Sequence, residues 1–281
     1  VYYGPTLNIN GERVTYDESV YISDLLTEHA VEWLEEREED QPFFMYLYHK
    51  AVHSQFAPAQ RHLDNYSNEE IIYPPSFETP FYGEPTMPSS SSTGEPLRGK
   101  KYYGNNRIPD WVKEQRESWH GVDYMYHGAI NFEDFFHRYT ETLMGIDESV
   151  GRVLDFLDAN NLTDDTLVIY MGDNGFSFGE HGLIDKRHFY EESAKVPLLV
   201  RWPSKLEGGT PIESLVQNID IAPTILEAAG LKAPDHMQGM SFVPLLPRQD
   251  TTWRDRIFYE YYWEMDFPQT PTMFGVRTNR Y

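Results

Sequence analysis

Two residues that follow an apolar run have the side chains of metal ligands. Asp173 and Asn174 come after the run 166–171, and Gly175 comes next. A neighbouring carboxylate and amide offer two hard oxygen ligands for Ca²⁺, or less readily for Mg²⁺, and the glycine lets the backbone turn tightly around an ion. A DNG sequence is more often only a turn. A metal site here therefore needs support from other parts of the chain.

A basic cluster twelve residues further on gives that support. The chain is strongly acidic, with 45 Asp and Glu against 23 Lys and Arg and a formal net charge of −22, yet His181, Lys186, Arg187 and His188 lie close together. Such local basicity indicates a pocket for an anion, and Lys186 supplies the point charge that suits a tetrahedral oxyanion. The alternative is that Lys186 is an ordinary solvated lysine of a polar loop.

A histidine after a second apolar run completes the set. The run 43–48 is rich in aromatic residues and is followed by a polar segment that contains His53. An imidazole at the end of a strand is placed to donate a proton to a leaving oxygen. The alternative is a structural histidine in a loop.

The sequence predicts helices before the segments that contain His53 and Asp173. Apolar residues at helical spacing predict an amphipathic helix over 23–39, with Ser23 as its N-cap and Leu26, Ala30, Trp33 and Leu34 on one face. A second helix is predicted through 139–157 and ended by Asn160 and Asn161.

Strands complete the predicted fold. We predict buried strands at the apolar runs 43–48, 166–171 and 196–201, the last two parallel. A helix capped by Asp220 and ending at Gly230 is predicted next, followed by another strand over 256–262. Helices that alternate with buried strands indicate an α/β class with a mostly parallel sheet between helices. Ligands bind beyond the carboxyl ends of such strands, so we expect His53 and Asp173 at one edge, within about 12 Å.

The segment 63–127 shows no sustained periodicity. A loop of that length is usually a functional lid or disordered. Aromatic rings in it could stack on sugars, or could simply pin the segment to the core. These residues are Tyr66, Tyr73, Tyr82, Tyr102, Tyr103, Trp111, Trp119, Tyr124 and Tyr126.

Composition excludes several functions. The net charge of −22 repels nucleic-acid backbones and anionic lipids, and no apolar run approaches the roughly 18 residues of a transmembrane helix. There is no cysteine, so neither a disulfide nor a thiol nucleophile is present in these residues. We predict neither a nucleic-acid partner nor membrane insertion; the sequence leaves the oligomeric state open.

Five collinear segments together resemble the sulfatase family of the alkaline-phosphatase superfamily. They are QPFFMYLYHKAVHSQFAP, YTETLMGIDESVGRVLDFLD, VIYMGDNGFSFGEHGLIDKRHFYEESAKVPLLVRWP, NIDIAPTILEAAG with MQGMSFVPLL, and YEYYWEMDFPQTPTMFGVRTNRY. The resemblance implies an alkaline-phosphatase-like α/β fold, with a partial catalytic domain over 1–246 that includes the irregular insertion 63–127, and the lead into a C-terminal subdomain over 247–281. It also implies a sulfuric ester hydrolase that acts on a sulfated saccharide.

The same resemblance implies roles for individual residues. Asp173 and Asn174 match calcium ligands, and Lys186 matches a sulfate-binding lysine of the catalytic site. His53 matches a histidine that contacts sulfate or donates a proton, and His181 is a further substrate-binding candidate. The family's formylglycine nucleophile arises from CxPxR or SxPxR, which is absent from residues 1–281. We therefore expect a fragment, truncated at both ends, whose formylglycine lies upstream of Val1 and which is inactive alone.

Two alternative functions stay open at this point. A phosphate or phosphonate monoester hydrolase of the same superfamily needs the same metal and oxyanion chemistry. A non-catalytic acidic domain that binds Ca²⁺ or glycans would need no nucleophile. By the resemblance, a secreted, periplasmic or lysosomal location is expected.

Overall fold

The computed structural model describes residues 1–77, 110–116, 118, 121, 131–209, 211–247 and 252–281. The chain forms two compact units: unit 1 comprises Val1–Ile72 and Ala129–Thr163, and unit 2 comprises Tyr73–Gly128 and Asp164–Tyr281. The boundary predicted between 246 and 247 stays a prediction.

Six strands and five α-helices occur among the described residues. In chain order they are β1 (Thr6–Ile9), β2 (Glu12–Thr15), α1 (Ile22–Glu36), α2 (Asp110–Arg116), α3 (Phe132–Ala159), β3 (Val168–Met171), α4 (Glu191–Ala194), β4 (Leu198–Arg201), α5 (Ile221–Ala228), β5 (Arg256–Tyr261) and β6 (Met273–Thr278). Over this described part of the chain, no helix is long and apolar enough to cross a membrane.

The two long helices of unit 1 confirm the predicted periodicity. Helix α3 begins after Asn131, whose side-chain oxygen accepts a hydrogen bond from the Asp134 amide at 2.7 Å, and it ends at Asn160 as predicted. Helix α1 packs against it, and Thr27 Oγ1 donates to Ser149 Oγ at 2.6 Å between them. These two helices form the frame of unit 1.

Two details predicted for α1 are wrong. Ser23 is not the N-cap: the helix begins one residue earlier, after Tyr21, and Ser23 is buried inside it. Trp33 is exposed rather than in the core, and its ring lies edge-on to Phe43. A broad aromatic ring near the end of a helix can be covered by a neighbouring side chain instead of the core, which periodicity alone does not show.

The run 43–48 is not assigned as a strand, and the prediction of a buried strand there is wrong for this structure. Its backbone has no partner strand among the described residues. Exposure alternates along the run: Phe44, Tyr46 and Tyr48 are 66%, 79% and 61% exposed. The alternation is that of an extended segment with one covered face, so the aromatic content of the run did not indicate full burial.

Strands β3 and β4 of unit 2 pair antiparallel, with Val168 opposite Arg201 and Met171 opposite Leu198. The predicted parallel pairing of these two runs is therefore wrong. The only α-helix in the connection between them is the four-residue α4, beside a short 3₁₀ turn at Glu180–Gly182, and a parallel pair requires a long crossover helix. Burial is also partial, because Leu199 is exposed while the opposite face packs on a buried cluster of Phe242, Leu245 and Leu246.

The remaining strands of unit 2 form an antiparallel hairpin, β5–β6. The strand predicted over 256–262 is confirmed to within one residue. A Cβ at Gly275 would lie 2.1 Å from the ring of Phe189, so only glycine leaves room for that ring. The Phe189 ring stacks on Tyr259 with centroids 4.3 Å apart. The hairpin is thereby packed on the segment that follows Lys186.

The helix predicted from Asp220 begins differently. A 3₁₀ turn, Asn218–Asp220, precedes α5, and its cap is Gln217. Asp220 instead occupies the third position of this turn, where its carboxylate accepts from the Gln217 amide at 2.8 Å. Asp220 lies at the N-cap position of α5, as predicted, but its side chain caps the preceding 3₁₀ turn and forms no capping hydrogen bond with α5.

Helix α2 lies inside the segment 63–127, where no periodic element was predicted. Seven residues are too few for a clear amphipathic pattern. Val112 is buried against Leu183, with Trp111 beside it, so this aromatic residue pins the segment to the core. The candidate stacking residues Tyr82, Tyr102, Tyr103, Trp119, Tyr124 and Tyr126 lie outside the described residues.

Candidate active site

The loop after β3 places Asp173 at the surface. Asp173 Oδ1 accepts a hydrogen bond from the Asn174 amide at 2.9 Å, and the Asp173 carbonyl accepts one from Asn218 at 3.2 Å. Asn174 Nδ2 donates to the Gly175 carbonyl at 2.7 Å. With its nitrogen engaged, the Asn174 amide has its oxygen available to a cation. The two side chains thus offer oxygen ligands from one fixed turn.

Gly175 fixes this turn by close packing. Its amide donates to the Ser193 carbonyl at 2.9 Å, and a Cβ at this position would lie 2.1 Å from the Glu192 carbonyl oxygen. No other residue fits without moving α4. The glycine is therefore needed for contact with a neighbouring helix, rather than for the tight turn that the sequence predicts.

These residues fit a metal ion only in part. Ca²⁺ takes six to eight oxygen ligands, and the turn supplies two side chains. Within the described ranges, no three His, Cys, Asp or Glu side chains are grouped so that they could hold a metal. The chemistry of the donors agrees with Ca²⁺ or Mg²⁺, and the site needs further ligands from elsewhere.

Lys186 lies on a loop whose backbone is fixed by hydrogen bonds to neighbouring side chains. Its amide donates to Asp185 Oδ1 at 2.7 Å, and its carbonyl accepts a hydrogen bond from Ser193. The side chain is half-buried, and its Nζ forms no ion pair with any described residue. A cation without a carboxylate partner, on a fixed backbone, is suited to bind an anion.

Asp185 organises this loop and was not singled out from the sequence. Its carboxylate is almost fully buried and also accepts from Arg187 at 2.7 Å and from Gln115 Nε2 at 2.6 Å. A buried carboxylate needs such charge-assisted donors. Its position directly before Lys186 was the only signal in the sequence, because Gln115 is 70 residues away.

The predicted basic cluster is smaller than its composition indicates. Arg187 is paired with Asp185, and its guanidinium lies 3.5 Å from the centre of the Phe267 ring. His188 is fully buried, and burial lowers its pKa to about 4. It is therefore neutral at pH 7 and adds no charge. Of the cluster, Lys186 is left as the cation suited to an anion.

His181 is held against another ring. Its backbone has a positive φ of 57° in a turn between Gly179 and Gly182, and its imidazole stacks on Tyr190 with centroids 3.9 Å apart. Its amide donates to Ser76 Oγ at 3.1 Å. These contacts fix the His181 ring five residues before Lys186 in the sequence. Its contact with a substrate stays a prediction.

His53 belongs to unit 1, whereas the other candidates belong to unit 2. Its side chain is exposed, with Nδ1 3.3 Å from the Ser54 carbonyl. Its carbonyl accepts a hydrogen bond from Tyr2 Oη at 2.6 Å. The predicted convergence of His53 with Asp173 concerns both units and stays a prediction.

Known proteins similar to the chain have related names. A family profile described as N-sulphoglucosamine sulphohydrolase, C-terminal, matches residues 179–281. An N-acetylglucosamine-6-O-sulfatase of Bacteroides thetaiotaomicron is 29% identical over 99% of this chain and 55% of its own length. An N-acetylglucosamine-6-sulfatase of Bos taurus is 31% identical over 92% of this chain and 42% of its own.

The relatives that match nearly the whole chain are thus named as sulfatases. A solved structure in complex with its substrate, D-glucosamine-2-N,6-O-disulfate, is similar to this chain with a TM-score of 0.78 and 27% identity. It is matched over 99% of this chain and 63% of the other. The solved neighbours confirm the alkaline-phosphatase-like α/β fold class. The chain spans about half the length of the curated relatives named above.

Proposed function

We propose that the protein carrying this chain is a sulfatase that hydrolyses a sulfate ester of a sulfated carbohydrate, with a sulfated glucosamine as the preferred sugar. The observation that carries the proposal is the similarity of nearly the whole chain to N-acetylglucosamine-6-sulfatases. The ordered loop that presents Lys186 and the DNG turn supports it. Because the chain spans about half of those relatives, activity and substrate remain proposals for the whole protein.

Lys186 and His53 have the central roles in this proposal. Lys186 Nζ binds the sulfate oxygens and stabilises the negative charge that builds on them in the transition state. His53 donates a proton to the sugar oxygen as the S–O bond breaks, so that the alcohol leaves neutral. His181 also binds the substrate in this proposal. The products are the desulfated sugar and inorganic sulfate, with one water consumed.

A metal ion and an activated nucleophile complete the proposed chemistry. Asp173 and Asn174 would hold Ca²⁺, which fits a flexible set of oxygen ligands better than Mg²⁺ does. When bound, the ion would withdraw charge from sulfate oxygens, and the attacking oxygen would come from a formylglycine outside residues 1–281. We further propose a secreted, periplasmic or lysosomal location, on family resemblance alone.

A substrate panel tests the proposal. The full-length protein is incubated with sulfated mono- and disaccharides and with the corresponding phosphate and phosphonate esters, and released sulfate and phosphate are measured by ion chromatography. We expect sulfate release, fastest from 6-O-sulfated glucosamine. Faster phosphate release would reassign the protein to the phosphohydrolases, and binding without release of either anion would indicate a non-catalytic glycan-binding protein.

A further inference from the structure

Three tyrosines of unit 1 donate hydrogen bonds to the same loop. Tyr2 Oη donates to the His53 carbonyl at 2.6 Å, Tyr21 Oη to the Ala57 carbonyl at 3.1 Å, and Tyr3 Oη to the Pro58 carbonyl at 3.0 Å. The three acceptors lie within six residues of each other. We call the segment 53–58 the His53 loop. Its backbone is thus held at both ends by phenol groups.

The tyrosine rings are themselves fixed by packing. Tyr2 and Tyr21 are each 5% exposed and lie in one buried cluster with Ala59. Tyr3 packs on Tyr21 with centroids 5.1 Å apart, and the Ile22 amide donates to the Tyr2 carbonyl at 2.9 Å. A buried ring with few rotamers holds its hydroxyl in one place. The three donors are therefore preorganised rather than recruited by the loop.

The residues after the loop are tied to both long helices. Arg61 forms two hydrogen bonds of 2.7 Å with Asp24 of α1, and it also pairs with Glu148 of α3. The His53 side chain remains exposed above this support. The loop therefore combines a rigid backbone with an accessible imidazole, which is the arrangement that a proton donor needs.

We propose that Tyr2, supported by Tyr3 and Tyr21, is a positioning residue for His53. The hydrogen bond at the His53 carbonyl fixes the peptide that follows it, and with that peptide the direction of the His53 side chain. The inference rests on the proposed sulfatase function for its effect on turnover. The holding of the loop itself follows from the contacts within unit 1.

Tyr2→Phe in the full-length protein removes the hydroxyl and keeps the ring. Tyr16→Phe is the matched control, because Tyr16 Oη contacts His29 instead of the loop. Hydrogen–deuterium exchange of peptides covering 51–60 should rise about fivefold in Tyr2→Phe, as expected for one lost hydrogen bond, and stay unchanged in Tyr16→Phe. Tyr21→Phe should raise exchange in the same peptides. Exchange equal to that of the wild type in Tyr2→Phe would overturn the proposal.

Turnover separates positioning from a purely structural role. A misplaced proton donor matters for an alcohol leaving group and little for 4-nitrophenolate, which leaves without protonation. Tyr2→Phe should therefore lower kcat about tenfold on glucosamine 6-sulfate, with KM nearly unchanged, and much less on 4-nitrophenyl sulfate. Equal losses on both substrates would overturn the positioning role. A wild-type protein without sulfatase activity would refute the proposed function, while the exchange comparison still decides whether the tyrosines hold the loop.

Discussion

At the scale of single residues, the chain shows how burial changes what a charged or titratable side chain does. His188 was grouped with the basic residues of the anion pocket, yet it is buried with Nε2 3.2 Å from Ser177 Oγ. Asp185 was not singled out, yet it fixes the backbone of Lys186. Residue type predicted where charge could act, whereas burial decides which charges are free to act.

The buried histidine predicts a pH dependence of stability. Burial lowers the pKa of His188 to about 4 in the folded state, against an ordinary value near 6.5 in the unfolded state. Between these values the unfolded chain binds a proton that the folded chain does not, so folding weakens as the pH falls from about 6.5 to 4, by on the order of 3 kcal/mol in total.

Urea unfolding of the wild type and His188→Gln at several pH values measures this effect. We expect the wild type to lose stability more steeply than His188→Gln below pH 6.5. His236→Gln, at an exposed position, should follow the wild-type curve. Parallel curves for wild type and His188→Gln would show that the folded chain accepts the proton on His188 at an ordinary pH.

The buried ion pair of Asp220 and Arg254 predicts that Arg254 contributes more to the unfolding free energy than the nearby Arg256 does. Asp220 is fully buried and accepts two hydrogen bonds from Arg254, at 2.5 and 2.7 Å, and one from the Met240 amide at 2.8 Å. Arg254→Met leaves that carboxylate without its cation and should cost about 3–5 kcal/mol of unfolding free energy. Arg256→Met breaks an exposed pair with Asp255 and should change little. Equal unfolding midpoints for the two variants would contradict this.

At the scale of secondary-structure elements, local pattern predicted position and not pairing. The 3.6-residue period located α1 to within three residues at each end, and Asn160 marked the end of α3, although α3 begins at Phe132, seven residues before the predicted pattern. The apolar runs located β3 and β4, but their antiparallel register depends on the path of the loop between them. Periodicity carries no information about that path.

In the candidate site, too, local sequence predicted the functional residues but not the contacts that support them. Its residues were predicted because each stands in a recognisable local segment, such as the DNG turn or the residues around Lys186. The contacts that support them join residues 51 to 70 positions apart, as Tyr2 to His53 and Gln115 to Asp185 do. A single sequence offers no signal for such pairs. Tertiary structure was therefore needed to find the supporting residues.

Helix α2 gives a prediction at this scale. Gln115 is buried, donates to Asp185 and accepts from Thr270 Oγ1 at 3.3 Å, so it links α2 to the loop before Lys186. Gln115→Leu should increase hydrogen exchange in 110–116 and 183–188 by about fivefold or more, because a buried carboxylate loses one donor. Glu114→Ala, at an exposed position of the same helix, should leave both segments unchanged. Unchanged exchange around Lys186 in Gln115→Leu would contradict the link.

At the scale of the whole molecule, the acidic charge and the partial metal site bear on function. The net charge of −22 is unfavourable for the anionic sulfated substrate that we propose, so the proposal requires a local cation and a metal at the site to offset it. Lys186 supplies one part of that offset. The other part is the metal ion, which Asp173 and Asn174 of the DNG turn would bind in the proposal.

The proposed metal site predicts an effect of Asp173 on calcium binding. In the full-length protein, Asp173→Ala removes a charged ligand and should weaken Ca²⁺ binding, measured by calorimetry, by about tenfold or more. Asp164→Ala, an exposed carboxylate in the turn before β3, is the control and should leave Ca²⁺ affinity unchanged. Chelation should abolish turnover, and Ca²⁺ should restore it better than Mg²⁺. Unaltered affinity in Asp173→Ala would remove Asp173 from the metal site.

The most direct test of the account is sulfate release by the full-length protein and its Lys186→Ala variant. The substrate is glucosamine 6-sulfate, and Lys232→Ala, at a lysine that is 86% exposed, is the matched control. Loss of a charge that stabilises the transition state should lower turnover by about 100-fold or more in Lys186→Ala, while the control keeps wild-type turnover. Equal sulfate release by Lys186→Ala and the wild type would contradict the central claim that Lys186 binds and stabilises the reacting sulfate.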